Sequence, residues 1–375
     1  MFFISAKYLK PGMILARDLP SEYFGLSLVA QGQHLTENII VKINELGLSG
    51  AYVESTIDSD IVPAEETITP ALQKKLLAEV KKQFDCCANN VGLSDDLINN
   101  VYRVSAELVT SVLTRKEVML HIVSIKAYDD YTYTHSMMVG LISVLIGVRL
   151  GLTEYRLNEL AVCGLMHDLG KVDIPVNIIN KPEKLNDDEY AIIRMHPESA
   201  VRRLRGNRAC TPAVLQGIAS HHEKYDGTGY PQGLSGERIP LYGRILALAD
   251  VFDALTSKRS YRENWTPEQA IEYMMGLANI HFDFNLLNSF LSVIAAYPVG
   301  SIVRLSNGYT SVVIRNTPGM TLRPTVRVLE PPVLAGIDID LAKDLSYLNV
   351  TISKMITDTS TLSDTFFQTK ETVTP

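Results

Sequence analysis

Cysteine is sparse, basic charge is outweighed and no apolar run is long in this chain of 375 residues. The four cysteines, Cys86, Cys87, Cys163 and Cys210, show no CxxC spacing, which excludes a zinc ribbon and a thioredoxin-like redox site. Thiols this few in a chain this long read as free and reduced, as in cytoplasm. Lys and Arg number 35 against 42 Asp and Glu, a formal net charge of −7, so a broad basic surface for DNA or RNA is excluded. An anionic substrate would need cations supplied locally. The most apolar run, Met137 to Val148, is too short to span a bilayer and contains Gly140 and Ser143. The amino terminus, MFFISAKYLKPGM, lacks the basic and long apolar regions of a signal peptide, so a cytoplasmic protein without membrane insertion is expected. Neither a dinucleotide-binding nor a P-loop fingerprint occurs. At 46% hydrophobic and 21% charged residues the composition is that of a globular protein, not a collagenous, disulfide-dense or disordered one.

The length suits about two or three domains. Residues 1–60 alternate short β-rich runs with turn signals at Pro11-Gly12, Gly32, Gly47 and Gly50. Thr36 to Leu46 reads as one short helix capped by Thr36, giving a small α+β N-terminal module. Residues 61–119 read as linker and connecting helices, with the acidic stretch Ser55 to Thr69 leading in. Leu72, Leu76, Val80, Phe84 and Cys87 recur at helical spacing, as do Leu97, Val101, Val104, Leu108 and Val112. That pair could pack against the following domain, or serve as a homodimer or signal-transmitting pair.

Residues 120–296 read as consecutive helices without βαβ alternation: Asp129–Leu150, Thr153–His167, Asn186–Arg205, Thr211–His222, Gly243–Leu255, Thr266–Ala278 and Asn285–Ala296. Thr153, Asn186 and Thr266 suit helix starts and Pro267 a first helical position. Residues 297–356 form a short β-rich C-terminal appendage, with strands at Ser301–Leu305, Thr310–Arg315 and Thr325–Leu329 separated by Asn307-Gly308 and Pro318-Gly319. Residues 357–375, rich in Thr, Ser and Asp, read as a flexible tail. The fold expected is mainly α.

Chemistry concentrates in the helical region. Five of the eight histidines, His135, His167, His196, His221 and His222, lie there between positions 135 and 222, with Asp168 beside His167 and Asp250 further on. His167 follows the apolar run Leu160 to Met166, and Asp250 follows Ile245 to Ala249. Both are expected inside, where an unpartnered polar group is costly. A helical bundle can aim such side chains from several helices at one point. Imidazole plus carboxylate without thiolate suits iron, manganese, zinc or nickel. A lone histidine is more often structural, and His34, His121 and His281 are read that way. The run HHEKYDGTGYPQGLSGERIP, His221 to Pro240, takes a helix into a loop where Gly227, Gly229 and Gly233 permit unusual backbone shapes and Pro231 stiffens the chain.

These residues carry a family resemblance. His167-Asp168 with Gly170-Lys171, His196-Pro197, His221-His222-Glu223 and Asp226-Gly227-Thr228-Gly229-Tyr230-Pro231 resemble the HD-GYP domain. So do Asp250-Val251-Phe252-Asp253-Ala254-Leu255-Thr256 with Arg259, Tyr261 and Arg262, Lys181-Pro182 with Lys184-Leu185, and Phe282-Asp283. The resemblance implies an HD-type metal-binding bundle that hydrolyses cyclic di-GMP, a bacterial second messenger, to pGpG, GMP or both. Two divalent metal ions, iron or manganese foremost, would activate a bridging hydroxide. By the same analogy His135, His167, Asp168 and Asp250 hold one ion; Asp168, as a bridge, His196 and His221 hold the other, with His222 a further ligand of unassigned metal. Asp168 and Lys171 carry the catalysis, Lys171 reaching a non-bridging phosphate oxygen. Arg259 and Arg262 would grip a distal phosphate or a guanine edge, or else brace their loop. Tyr230 and Pro231 shape the substrate opening.

Tyr131 stands where three-metal relatives place a glutamate, so two ions are expected. Glu183 and Phe284 replace a usual glycine and proline, away from the expected ligands. Two other readings fit the motifs. One is a non-hydrolysing sensor or scaffold that binds a diguanylate cyclase through the loop; the other is the same centre acting on a different cyclic dinucleotide or a nucleotide monoester.

Overall fold

The computed structural model describes residues 1–20, 27–45, 48, 50–55, 61, 67–89, 91–115, 119–120, 131–181, 183–257, 265–356 and 358. Arg259, Tyr261, Arg262, His121 and the expected tail at 359–375 lie outside the described residues. The described residues fall into two compact units, one drawn from Met1–Glu66 and Ile294–Pro375, the other from Thr67–Leu120 and Asp130–Val293.

The first unit begins with β1 (Phe2–Ser5), β2 (Leu19–Pro20), β3 (Ser27–Val29), α1 (Glu37–Glu45) and β4 (Gly50–Val53). β1 pairs antiparallel with β4, and β2 with β3. Phe2 and Ile4 alternate with less buried neighbours, the period-two pattern of a half-buried strand. From the carboxyl-terminal segment come β5 (Ile302–Leu305), β6 (Thr310–Arg315), β7 (Thr325–Glu330), β8 (Asp338–Asp340) and β9 (Ile352–Met355), in one antiparallel sheet of order β8-β7-β6-β5-β9. Phe2, Ile4, Leu15, Ile43 and Val53 share a single apolar core with Val299, Ile302, Val312 and Leu329. Segments that read separately in the sequence thus bury one another, as small modules with little interior volume must.

The second unit is helical: α2 (Pro70–Ala88), α3 (Asp95–Leu113), α4 (Tyr131–Arg149), α5 (Glu154–Met166), α6 (Val176–Ile179), α7 (Asp187–Ile193), α8 (His196–Leu204), α9 (Pro212–Ser220), α10 (Leu241–Thr256), α11 (Pro267–Gly276) and α12 (Phe284–Leu291). A 3₁₀ turn at Leu169–Asp173 follows α5. The caps Thr69, Ser94, Thr153, Asn186 and Thr211 each accept a backbone N–H from the first turn of the helix they start. Of the two uses for α2 and α3, packing against the following domain is the one observed. α2 lies on α4 and α3 on α5, and Arg203 of α8 donates to the Cys87 carbonyl at 3.2 Å.

α4 is buried at every residue from His135 to Gly147, which explains its apolar composition all round. α5 and α10 flank it. The stretch read as one helix from Asn186 to Arg205 is broken at Arg194–Met195. Pro197 is the cause: inside a continuous helix its ring would collide with the Ile193 carbonyl and leave that acceptor without an N–H. The helix read over Asn285–Ala296 ends at Leu291, and the buried run Val293 to Ala296 continues as irregular chain. A short run apolar on every side has no period to identify it.

Candidate metal centre

Helix ends converge on the site. His135 projects from α4 and Asp250 from α10, His167 and Asp168 directly follow α5, His196 opens α8, and His221 and His222 directly follow α9. His135, His167, Asp168, His196 and His221 are each 3% exposed or less. The structure therefore brings together all seven residues that the sequence singled out as ligands.

Three of the imidazoles are oriented in the same way. His167 Nδ1 donates to the Gly164 carbonyl (2.8 Å), His196 Nδ1 to the Ile193 carbonyl (2.8 Å) and His221 Nδ1 to the Ile218 carbonyl (2.6 Å). Each acceptor is a last-turn carbonyl that its own helix leaves unpaired. The Ile193 carbonyl is the one that Pro197 cannot serve. These bonds assign the proton to Nδ1 and turn the Nε2 lone pair toward the cluster.

The Nε2 atoms of His196 and His221 then face each other without a proton to share. His196 Nε2 lies 3.2 Å from His221 Nε2 and 3.2 Å from His222 Nε2. His167 Nε2 and Asp168 Oδ1 are buried with no hydrogen-bond partner among the described residues. Inward lone pairs at this spacing repel one another unless a cation lies among them, and a buried acceptor without a donor is costly. Sets of nitrogen and oxygen atoms within 4.8 Å of one another, which could each hold an ion, are formed by His135, His167 and Asp250, by His196, His221 and His222, and by His167, Asp168 and His221. His222, unassigned from sequence, thus groups with His196 and His221. The donor set fits divalent metal.

Asp168 lies between the groups. Its Oδ1 is 3.5 Å from His196 Nε2, while its Oδ2 is 3.4 Å from His167 Nε2, 3.6 Å from His135 Nε2 and 2.6 Å from Lys171 Nζ. Lys171 is accordingly paired with Asp168 at the edge of the cluster.

Protonation suits ligation at four of the five rings. Burial pushes His196 down to about 4 and His222 down to about 3, and it also lowers His167 and His221, so these four rings are neutral near pH 7. Burial also acts to lower His135, but hydrogen bonds and charge from Asp250 and Asp253 overcome it and raise the ring to about 9. Burial acts to raise Asp168, yet His167, Lys171, His196 and His135 hold its carboxyl well below the usual range. Asp250 is held low against burial chiefly by His135.

Asp253 has a place here that motif reading did not assign. Its Oδ2 accepts from His135 Nδ1 at 2.8 Å and from Ser257 Oγ at 3.0 Å, and it is 1% exposed. The available signal was its position three residues after Asp250 on one helix face. An outer carboxylate of this kind fixes the ring and raises its basicity. Asp253→Asn should weaken divalent-metal affinity by about 10–100-fold, measured by competition with a fluorescent chelator. Unchanged affinity would remove Asp253 from the site.

The loop after α9 is closed by Glu223, 2% exposed, whose Oε1 accepts from the Gln232 N–H (2.7 Å) and Oε2 from the Leu234 N–H (3.0 Å). Gly229 packs so closely on the Glu223 and Lys224 backbone that no Cβ fits there. Tyr230 stacks on His222 with ring centroids 4.8 Å apart, and Pro231 follows it, half-buried. His281 stacks on Phe282, and its carbonyl accepts from the Tyr225 N–H at 3.1 Å, a structural use.

Comparison with known proteins places these residues in context. The family described as HD domain matches residues 118–286. A cyclic di-GMP phosphodiesterase, PA4108 of Pseudomonas aeruginosa, is 39% identical over 222 residues, 59% of this chain and 53% of that protein. The 3′3′-cGAMP-specific phosphodiesterase 2 of Vibrio cholerae is 35% identical over 239 residues, 64% of this chain and 43% of that protein. The chain spans about half the length of these curated relatives. In fold it is similar to Bd1817, an HDG"Y"P protein from Bdellovibrio bacteriovorus, with a TM-score of 0.52 at 15% identity over 77% of this chain and 97% of that one.

Proposed function

Because residues 118–286 are an HD domain of the HD-GYP family, we propose that this protein is a metal-dependent phosphodiesterase that hydrolyses cyclic di-GMP. The reading rests above all on the buried Nε2 lone pairs of His167, His196 and His221, turned inward, with His222 Nε2 3.2 Å from that of His196. His135, His167, Asp168 and Asp250 would hold one ion, and Asp168, His196, His221 and His222 the other. Divalent cations bound there supply an activated water and neutralise charge on phosphoryl oxygens. Iron and manganese suit a set of imidazoles and carboxylates without thiolate.

The remaining work falls to this chain's own groups. Asp168 presents one oxygen to each half of the cluster. Lys171 Nζ, 34% exposed at its side chain, is near enough to turn from Asp168 to a phosphate oxygen. Asp253 keeps His135 aligned. Tyr230 and Pro231 border the opening, and burial raises the Tyr230 hydroxyl far above its ordinary range, so it stays a neutral donor at pH 7. Arg259 and Arg262 are proposed to grip the distal part of the nucleotide. Among the described residues no helix is long and apolar enough to cross a membrane.

Anaerobic purification, elemental analysis and chromatography of products from cyclic di-GMP test the proposal. The expected result is bound iron or manganese with release of pGpG or GMP. Cyclic di-GMP left intact after long incubation of metal-loaded protein would overturn it. A 3′3′-linked cyclic GMP-AMP competitor in the same assay ranks the two dinucleotides.

A further inference from the structure

We propose that Arg194 binds the second, non-scissile phosphate of the cyclic dinucleotide. The proposal rests on the phosphodiesterase reading and adds to it a substrate contact outside the expected ligand and loop residues. Arg194 lies at the break between α7 and α8, two positions before His196. Its guanidinium carbon lies 4.8 Å from the centroid of the Tyr230 ring, which also neighbours the His222 ring at 4.8 Å between centroids. Tyr190, one turn earlier on α7, meets Tyr230 edge-on at 6.5 Å, and Arg194 is 5.9 Å from the Tyr190 ring. Two aromatic rings therefore hold the guanidinium beside the metal centre.

Arg194 has no counter-charge among the described residues. Lys171 is matched to Asp168, Lys181 to Glu189 and Arg203 to Asp173. The Arg194 side chain is exposed and makes no hydrogen bond or ion pair with any described residue. A guanidinium held near aromatic rings keeps in-plane N–H donors free for a bidentate acceptor, and a phosphate presents two oxygens at that spacing. The charge balance points the same way. The chain carries a net −7, the cluster serves the phosphate being cut, and a cyclic dinucleotide brings a second anionic phosphate, to which Arg194 would add its charge beside that proposed for Arg259 and Arg262.

Steady-state kinetics of Arg194→Ala and Arg194→Lys test this, with cyclic di-GMP and bis(p-nitrophenyl) phosphate as substrates across a range of salt. For Arg194→Ala, KM for cyclic di-GMP should rise about tenfold with kcat within about twofold, as for loss of a contact made equally in ground and transition states. Arg194→Lys should fall between. Turnover of bis(p-nitrophenyl) phosphate, which has one phosphate, should not change, and the increase of KM with salt should flatten for Arg194→Ala. An unchanged KM would overturn the assignment. So would a raised KM with the wild-type salt dependence, which would move the contact to a guanine edge, or an equal loss on both substrates, which would mean that the centre itself had been disturbed. Wild-type protein that cuts bis(p-nitrophenyl) phosphate but not cyclic di-GMP would instead refute the substrate reading.

Discussion

Asp168→Ala is expected to yield a protein that retains no divalent metal and turns over cyclic di-GMP at least ~10³-fold more slowly, since metal-assisted charge stabilisation supplies several kcal/mol. Its carboxylate has one oxygen 3.5 Å from His196 and the other within 3.6 Å of both His167 and His135, so under the proposed assignment removing it takes a ligand from both halves of the cluster. The substitution also leaves Lys171 without its 2.6 Å partner, and that free ammonium would repel an incoming cation. Asp168→Asn separates shape from charge, because it keeps the volume and loses the anion. Elemental analysis after anaerobic purification reads the metal, and a thermal melt reports whether the fold persists. Full metal occupancy or full activity in either variant would show that Asp168 is not a shared ligand.

Gly170→Ala, which changes no proposed ligand, should have a comparable effect on metal retention. A Cβ at Gly170 would run into the His196 carbonyl oxygen and lie 2.6 Å from the Ala200 nitrogen, both backbone atoms of α8. Neither can rotate away, so the first turn of α8 must shift and carry His196 with it. Overpacking of this kind costs roughly 1–3 kcal/mol, and an imidazole displaced by even 1 Å is misplaced for coordination. The expected outcome is a lowered melting temperature together with loss of metal. Gly92→Ala is the control: nothing lies within 4 Å of its Cβ position, and stability should change by no more than about 0.5 kcal/mol. Normal metal content in Gly170→Ala would mean that the close approach of the 3₁₀ turn to α8 does not position the site.

Much of this molecule could be read along the chain. The starts of α5, α7 and α11 follow from Thr153, Asn186 and Thr266-Pro267, because capping is a local interaction between residues three or four apart. The strand β6 at Thr310–Arg315 agrees to the residue, set between a tight Asn-Gly turn and a Pro-Gly turn. β8 and β9 went unread because they are short and, apart from Ile339, not buried, so they lack an apolar signal. Lys171 is expected from its motif to reach a phosphate oxygen, but its ion pair with Asp168 is not legible in the chain because it depends on how the 3₁₀ turn winds. Arg194 and Asp253 carry no motif role because each touches a ring brought to it from elsewhere in the chain, Tyr230 in one case and His135 in the other.

The sequence by itself determined the chemistry at hand: imidazole and carboxylate donors without thiolate, embedded in apolar runs that oblige them to lie inside. Residue type limits what a site can bind, and periodicity limits what can face water. Only the tertiary structure decided which nitrogen of each ring points inward, that His222 joins His196 and His221, and that the flanking segments share one core. Those outcomes depend on where helices end and cross, and so on contacts between residues far apart in the chain.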